Sequence, residues 1–126
     1  MKNLYFLPLL LISCLCFAQD AKEIIGKPVK IGNLLVAQYC FPLEMGWDTA
    51  IEACKSLGEG WRLPTKKELN SLCSLNKDIR QSQDMDYWSS TELSIQRAWV
   101  QYFTGCDSYH SNKGKEYVVR AVKSLK

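Results

Sequence analysis

The most reactive side chains in this sequence are one histidine and six cysteines. His110 lies in a polar, turn-like segment, and no serine or cysteine nucleophile motif surrounds it. Acid–base catalysis needs groups held within about 3 Å of a reacting atom, and this pattern offers no such set. A structural or free role for Cys106 is favoured over that of a lone nucleophile. The sequence therefore predicts a non-enzyme with no catalytic residues.

Metal and cofactor sites are not indicated either. Beyond the N-terminal apolar segment the cysteines are Cys40, Cys54, Cys73 and Cys106, and none of them forms a CxxC pair. With a single histidine in the chain, this spacing does not suit zinc. Asp84-Met85-Asp86 offers two carboxylates, whereas a calcium ion takes about six to eight oxygen ligands. We predict no metal ion and no cofactor.

One segment has the composition of a binding loop. Residues 106–115 read Cys-Asp-Ser-Tyr-His-Ser-Asn-Lys-Gly-Lys and lie between two predicted strands. Tyrosine supplies rigid amphipathic contact area, and serine and asparagine supply adaptable hydrogen bonds. The lysines add positive charge that suits sulfate or carboxylate groups. With the loop that follows Thr91, the candidate ligand-binding residues are Gln96, Arg97, Tyr109, His110, Asn112 and Lys113.

The N-terminal segment predicts export. Leu4–Phe17 is an almost unbroken apolar run of 14 residues, whereas a membrane-spanning helix needs about 20. Small residues then precede Gln19, so residues 1–18 have the pattern of a secretory signal peptide. In the alternative interpretation, residues 11–14 are a lipobox and Cys14 carries a lipid anchor. We favour simple cleavage and predict no transmembrane helix.

Apolar periodicity places two helices early in the chain. Positions 47, 50, 51, 54 and 57 form one apolar stripe, which predicts a helix over Gly46–Leu57. Thr65 and Glu68 match a capping box and begin a second helix, which ends near Asn76. Cys54 lies on the buried stripe of the first helix, where a small core residue and a disulfide partner are both reasonable interpretations.

The rest of the chain is predicted to be strands. Val29–Tyr39, which is interrupted at Gly32-Asn33, is expected to form a short hairpin or two short strands. Trp99, Gln101 and Phe103 alternate along a later strand and share one face. The later strands are predicted at residues 87–91, 98–103 and 117–122, and residues 105–111 are a candidate extension of this meander. This order indicates an α+β domain over residues 29–126, preceded by a flexible lead-in at residues 19–28.

Three motifs together resemble the bacterial Lcl C-terminal domain family. They are Gly60-Trp61-Arg62-Leu63-Pro64-Thr65 with Glu68-Leu69, Tyr87-Trp88-Ser89-Ser90-Thr91-Glu92, and Tyr117-Val118-Val119-Arg120-Ala121-Val122-Lys123. That family is similar to the sulfatase-modifying-factor branch of the C-type lectin-like fold. The resemblance implies two helices packed on a small twisted antiparallel sheet. It also implies exported or surface proteins, some of which bind glycosaminoglycans or other host ligands.

The motif residues have mainly a structural interpretation. Arg62 and Glu68 are expected to fix the corner where the second helix starts. Trp61, Trp88 and Trp99 are large enough to dominate the core, and Trp61 and Trp88 are expected to be mostly buried. Ala121 stands where many relatives carry a cysteine that would meet Cys54. We therefore carry over no family disulfide, and the pairing among the four cysteines stays open.

These observations predict an exported, non-catalytic binding module located outside the cell, on the outer surface or in the periplasm. The expected partner is a glycan, a glycosaminoglycan or a protein, held by the loops between the C-terminal strands. The alternatives are a structural subunit of an envelope assembly and an enzyme of the sulfatase-modifying-factor type. A net charge of +3 with no basic block gives no reason to expect nucleic acid. The loops that follow Thr91 and Phe103 are expected at the surface, away from both helices.

Overall fold

A computed structural model describes residues 21–75 and 85–125 of the chain. In these ranges the helices are α1 (residues 21–25), α2 (Trp47–Lys55) and α3 (Lys66–Leu75). The strands are β1 (Val29–Ile31), β2 (Leu34–Val36), β3 (Trp61–Arg62), β4 (Asp86–Glu92), β5 (Arg97–Tyr102), β6 (Asp107–Asn112) and β7 (Val122–Ser124). No helix in these ranges is long and apolar enough to cross a membrane.

The strands form two small antiparallel sheets. One sheet has the order β1-β2-β7-β3 and the other has the order β4-β5-β6. The β1–β2 hairpin turns at Gly32, whose φ of 57° is a left-handed conformation that suits glycine. The predicted closing strand is shorter than expected, because Tyr117 and Val118 make only isolated bridges, to Met45 and Tyr87. The α+β class and the predicted hairpin are confirmed.

The start of the described chain differs from the flexible lead-in that the polar composition predicted. Residues 21–25 are helical, and Ile24 and Ile25 pack against the core. Their carbonyl oxygens accept hydrogen bonds from the amides of Tyr39 and Gln38, at 3.2 and 2.9 Å. Two adjacent isoleucines, rather than the surrounding charges, therefore set the structure of this segment. The predicted signal peptide, residues 1–18, lies outside the described residues.

The first core forms between α2 and the two sheets. Trp47, Ala50, Cys54 and Leu57 are buried, as the apolar stripe predicted. Other members of this core include Trp61, Leu63, Trp88, Val100 and Val119. The relative exposures of Trp61 and Trp88 are 7% and 0%, which confirms the expected burial of both tryptophans.

The second core forms between α3 and one face of the β4-β5-β6 sheet. Leu69, Leu72 and Cys73 of the helix pack against Tyr87 and Phe103 of the sheet. The rings of Tyr87 and Phe103 lie 4.4 Å apart, centroid to centroid. Gln101 lies on the same face as Phe103 and is also buried, so the predicted alternation of β5 is confirmed.

The capping box at the start of α3 is confirmed. The amide of Glu68 donates to Thr65 Oγ1 at 3.1 Å, and the amide of Thr65 donates to Glu68 Oε1 at 2.9 Å. Arg62 also donates to both carboxylate oxygens of Glu68, at 2.7 and 2.8 Å. Hydrogen bonds from Arg62 lower the pKa of the Glu68 carboxyl against the opposing effect of burial. The first residue of α3 is therefore fixed by several independent contacts.

Among the described cysteines, Cys73 and Cys106 form a disulfide, whereas Cys40 and Cys54 are free. This result settles the pairing that the sequence left open. Burial raises the pKa of the Cys54 thiol to about 12, so this thiol stays protonated. The disulfide also ties the loop that follows Phe103 to the end of α3. The expectation that this loop lies away from both helices was therefore wrong.

Candidate functional site

Helix α3 covers only part of the sheet face on which it packs. The Cys73 sulfur lies 3.3 Å from the carbonyl oxygen of Phe103, and Asn70 Oδ1 lies 3.4 Å from Gln101 Nε2. One turn earlier, the ammonium of Lys66 lies 3.5 Å from the centre of the Trp99 ring. Since α3 begins at Lys66, none of the described helices lies above the face beyond Trp99.

This face therefore has two parts. The covered half consists of Tyr87, Gln101 and Phe103, all of which are buried. The open half consists of Lys66, Arg97, Trp99 and His110, all of which are partly or fully exposed. We use these two names for these residues throughout.

The side chains of the open half contact one another in a row. In the β5–β6 register, Trp99 is directly opposite His110, and their rings meet edge to face with centroids 5.3 Å apart. Arg97 Nε donates to His110 Nδ1 at 2.9 Å, and Arg97 Nη2 donates to the His110 carbonyl oxygen at 3.3 Å. Since Nδ1 accepts this hydrogen bond, Nε2 is the ring nitrogen that carries a proton and is available as a donor.

The open half carries positive charge without a matching acid. Within the described parts of the chain, no carboxylate lies within 4.0 Å of the cationic groups of Lys66 or Arg97. The ammonium of Lys66 instead sits on the Trp99 ring as a cation–π pair. Two unneutralised cations beside a histidine N–H donor and an aromatic ring form a surface that is suited to an anion.

The structure brings together some of the six predicted site residues. Arg97 and His110 are in direct contact, and Asn112 shares their face because it is paired with Arg97 in the register. Asn112 Oδ1 accepts a hydrogen bond from the amide of Gly114 at 2.8 Å, which fixes the following turn. Gln96 is exposed at the adjacent loop. These four residues lie at or next to the open half.

Lys113 has a different role from the free charge that the sequence suggested. Its ammonium donates to Glu92 Oε2 at 2.7 Å and to the carbonyl oxygen of Ile95 at 2.8 Å. It also lies 4.2 Å from the centre of the Trp47 ring, and only 13% of the side chain is exposed. Lys113 therefore braces the β4–β5 loop against α2 and has little charge left to offer to a ligand.

Tyr109 lies on the opposite face of the sheet from His110, because successive residues of a strand point to opposite sides. Its hydroxyl donates to the carboxylate of Asp86, and its ring packs edge to face on Tyr117. Burial and the Asp86 carboxylate together raise the pKa of the Tyr109 hydroxyl above its usual range. The six predicted residues therefore do not form one continuous surface.

The sequence reasoning missed Lys66 and Trp99 as site residues. It assigned Trp99 to the core on account of its size, and it treated Lys66 only as part of a helix start. The alternation of β5 placed Trp99 on the face of Gln101 and Phe103, so its face was predictable. The partial exposure of Trp99 depends on where α3 begins relative to β5. That relative position is set by tertiary packing and cannot be read from the sequence.

A separate apolar groove of about 610 Å³ lies between α1, α2 and residues 39–45. Cys40 lies in its wall, with its sulfur 3.5 Å from the Tyr87 hydroxyl. Within residues 21–75 and 85–125, no three His, Cys, Asp or Glu side chains are grouped as ligands of a metal ion.

A family comparison decides the classification. The profile of the Lcl C-terminal domain matches residues 19–123, which is most of the chain. The chain belongs to the Lcl C-terminal domain family. The resemblance carried by the three sequence motifs is thereby confirmed. In this Lcl C-terminal domain, the Arg62 and Glu68 of the first motif form the corner at the start of α3. A comparison with curated proteins finds no match.

Solved structures show the fold of this Lcl C-terminal domain. Botrocetin is similar with a TM-score of 0.60 and 12% identity, over 79% of this chain and 98% of botrocetin. EMS16, an antagonist of the collagen receptor integrin alpha2beta1, has a TM-score of 0.60 and 9% identity, over 79% of this chain and 98% of its own. The snake venom toxin convulxin has a TM-score of 0.60 and 11% identity, over 80% of this chain and 97% of convulxin. The predicted C-type lectin-like fold is confirmed.

Proposed function

We propose that this Lcl C-terminal domain is an exported, non-catalytic binding module that takes an anionic glycan, such as a glycosaminoglycan, on the open half. The observation that carries the proposal is the row formed by Lys66, Trp99, His110 and Arg97, in which two cations have no acidic partner among the described residues. Sulfate and carboxylate groups accept charge-assisted hydrogen bonds from guanidinium and ammonium groups.

The open half is also pre-organised. The guanidinium of Arg97 is held by two hydrogen bonds to His110, and the ammonium of Lys66 is held over Trp99. A ligand therefore meets side chains that have already lost much of their rotational freedom, which lowers the entropic cost of binding. The Nη1 of Arg97 and the Nε2 of His110 are left to donate to ligand oxygens.

Two observations support the export and the non-catalytic character. Cys106 is bonded to Cys73, so it has no thiol with which to act as a nucleophile. Disulfides persist in oxidising compartments, in agreement with the N-terminal signal pattern. Botrocetin has been solved in complex with the von Willebrand factor A1 domain, and this example supports the use of the same fold as a binding scaffold.

The proposal is tested by titrating the protein with a heparin octasaccharide in a calorimeter. Arg97→Gln should weaken binding at least several-fold, and the exposed helix residue Lys67→Gln is the control that should stay within about twofold. Raising salt from about 0.05 M to 0.5 M should weaken binding by the parent, because the screening length shrinks. Equal affinities for the parent and the Arg97 variant would contradict the proposal.

A further inference from the structure

One edge of the β4-β5-β6 sheet is β6, a strand of six residues, and several of its backbone groups have no partner in the described part of the chain. The amide of Lys113 donates to the carbonyl oxygen of Gln96 at 2.9 Å, which fixes the alternation of the β5–β6 ladder. Residues 107, 109 and 111 therefore bond to β5, and the backbone groups of residues 108, 110 and 112 point outward.

Most of these outward groups have no partner. Among the described residues, no backbone acceptor meets the amides of Ser108, His110 and Asn112. The carbonyl oxygen of Asn112 accepts from the amide of Lys115 at 3.0 Å, and that of His110 accepts only the 3.3 Å bond from Arg97. The edge thus offers three amide donors, at residues 108, 110 and 112, and one carbonyl acceptor, at Ser108.

Strand β1, an edge strand of the other sheet, is protected against further pairing, and β6 is not. Strand β1 has only three residues, follows Pro28 and contains Lys30. Short length, proline and lysine are devices that discourage a further strand from pairing with an edge. Strand β6 has six residues and contains neither proline nor lysine. An edge of this length without such devices is suited to the addition of another strand.

The side chains next to the edge determine which strand fits. His110 and Asn112 lie on the face of the open half, beside the cations of Arg97 and Lys66. A second copy that paired its own β6 antiparallel, about a two-fold axis at His110, would bring the Arg97 guanidinium groups of both copies near one another, because each guanidinium lies against its own His110. Like charges at adjacent positions destabilise such a pair, whereas acidic side chains would be attracted.

We propose that β6 accepts an extended segment of a partner protein as a fourth, antiparallel strand, with acidic side chains on the face of Arg97 and His110. The proposal goes beyond the glycan-binding function, because it depends on the backbone edge and not only on the side chains of the open half. The two ligands use the same cations and would compete.

The probe is a capped heptapeptide of alternating valine and glutamate. When the peptide pairs antiparallel to β6 with its glutamates opposite residues 108, 110 and 112, the glutamate amides point at β6 and the valine amides point away. Methylation of the glutamate amides should weaken binding at least tenfold. Methylation of the valine amides should change it by less than about threefold, and an alternating valine–lysine peptide should bind at least tenfold more weakly.

Amide hydrogen exchange by NMR locates the bound peptide. Exchange at Ser108 and His110 should slow at least tenfold on saturation, whereas Tyr109 and Ser111 already bond to β5 and should change little. Three results would overturn the proposal. The two methylated peptides could bind equally well, the peptide could protect amides elsewhere in the chain from exchange, or no binding could be seen at millimolar peptide. Protection without peptide that grows with protein concentration would place a second copy at the edge and would also overturn it.

The same samples separate this proposal from the glycan proposal. Peptide binding with the alternating protection pattern, in a protein that does not bind heparin, would leave the strand proposal standing and remove the glycan proposal. If the protein binds heparin but the peptide does not slow amide exchange at residues 108–112, the glycan proposal stands and the strand proposal is removed.

Discussion

The covered half and the open half belong to the same face of one sheet, yet they differ in burial and chemistry. Gln101 of the covered half and Arg97 and Trp99 of the open half alternate along β5. Lys66 reaches the open half from the first residue of α3. The covered half lies under Leu69, Leu72 and Cys73 of α3 and is part of a core. The open half begins at the first residue of that helix, Lys66, and extends beyond it. The comparison shows that the position of a helix start can decide where a core ends and a binding surface begins.

The helix start is itself encoded locally. Thr65 and Glu68 satisfy each other's backbone amides, and Arg62 holds the Glu68 carboxylate from the preceding strand. The amide of Lys66 donates to Thr91 Oγ1 at 2.9 Å, which attaches the first turn to β4. The motif residues of the Lcl family therefore act on the open half indirectly, by fixing where α3 begins.

The largest expected difference between the halves is in stability. Phe103→Ala in the covered half removes a buried ring and should lower the free energy of unfolding by about 3–5 kcal/mol. His110→Ala in the open half should change it by about 0.5 kcal/mol or less, because its side chain is exposed. Urea unfolding at pH 7 measures both values. Similar losses for the two variants would show that the halves are not distinct.

The disulfide anchors the covered half, and its removal is expected to have the next largest effect. Cys73 and Cys106 are 33 residues apart, so the loop that they close constrains the unfolded chain. The double variant Cys73→Ala, Cys106→Ala should lose about 2–4 kcal/mol in urea unfolding. Cys40→Ala, which removes a free thiol, is the control and should lose less. An unchanged midpoint in the double variant would show that the bond is absent or without effect.

The helix start should give a smaller, pH-dependent effect. Glu68→Gln loses the charge that Arg62 binds and should cost about 1–2 kcal/mol at pH 7. Because the folded state lowers the pKa of this carboxyl, its stabilisation is complete above the ordinary value of about 4.5 and is lost as the pH falls through the folded-state pKa. The stabilities of parent and variant should therefore converge in acid. A difference that stays constant from pH 7 down to pH 2 would contradict this origin.

Cysteine labelling compares two free thiols without changing the sequence. Cys54 is buried and its raised pKa keeps it protonated, whereas Cys40 is part-buried and lies in the wall of the apolar groove. Brief treatment of the native protein with N-ethylmaleimide, followed by peptide mapping, should find label on Cys40 and little on Cys54. Preferential labelling of Cys54 would show that α2 opens more readily than its packing implies.

Local features of the fold were predictable because they depend on neighbours in sequence. The apolar stripe of α2, the capping box of α3 and the turn at Gly32 follow from residues within a few positions of one another. The lead-in was misjudged because the apolar contacts of Ile24 and Ile25 are with distant parts of the chain.

The candidate site was only partly predictable for the same reason. Arg97 and His110 were found from their residue types, and the strand period would have placed Tyr109 on the other face. Lys113 contacts Glu92, Ile95 and Trp47 only because the fold brings these residues to its ammonium group. The spacing of these residues in the sequence does not show this. The Cys73–Cys106 pairing likewise depends on how the end of α3 meets the loop after β5.

The central claim is that the open half binds and the covered half stabilises. The most direct measurement compares two doubly substituted proteins with the same change in net charge, by heparin octasaccharide titration and by thermal unfolding. Lys66→Gln with Arg97→Gln should lower affinity at least tenfold and leave the melting temperature within about 2 °C, because both side chains lie on the surface. The control, Lys30→Gln with Lys67→Gln, removes two exposed charges elsewhere and should change affinity by about twofold or less. Equal losses of affinity in the two proteins would contradict the claim, because they would show that net charge, and not the open half, holds the ligand.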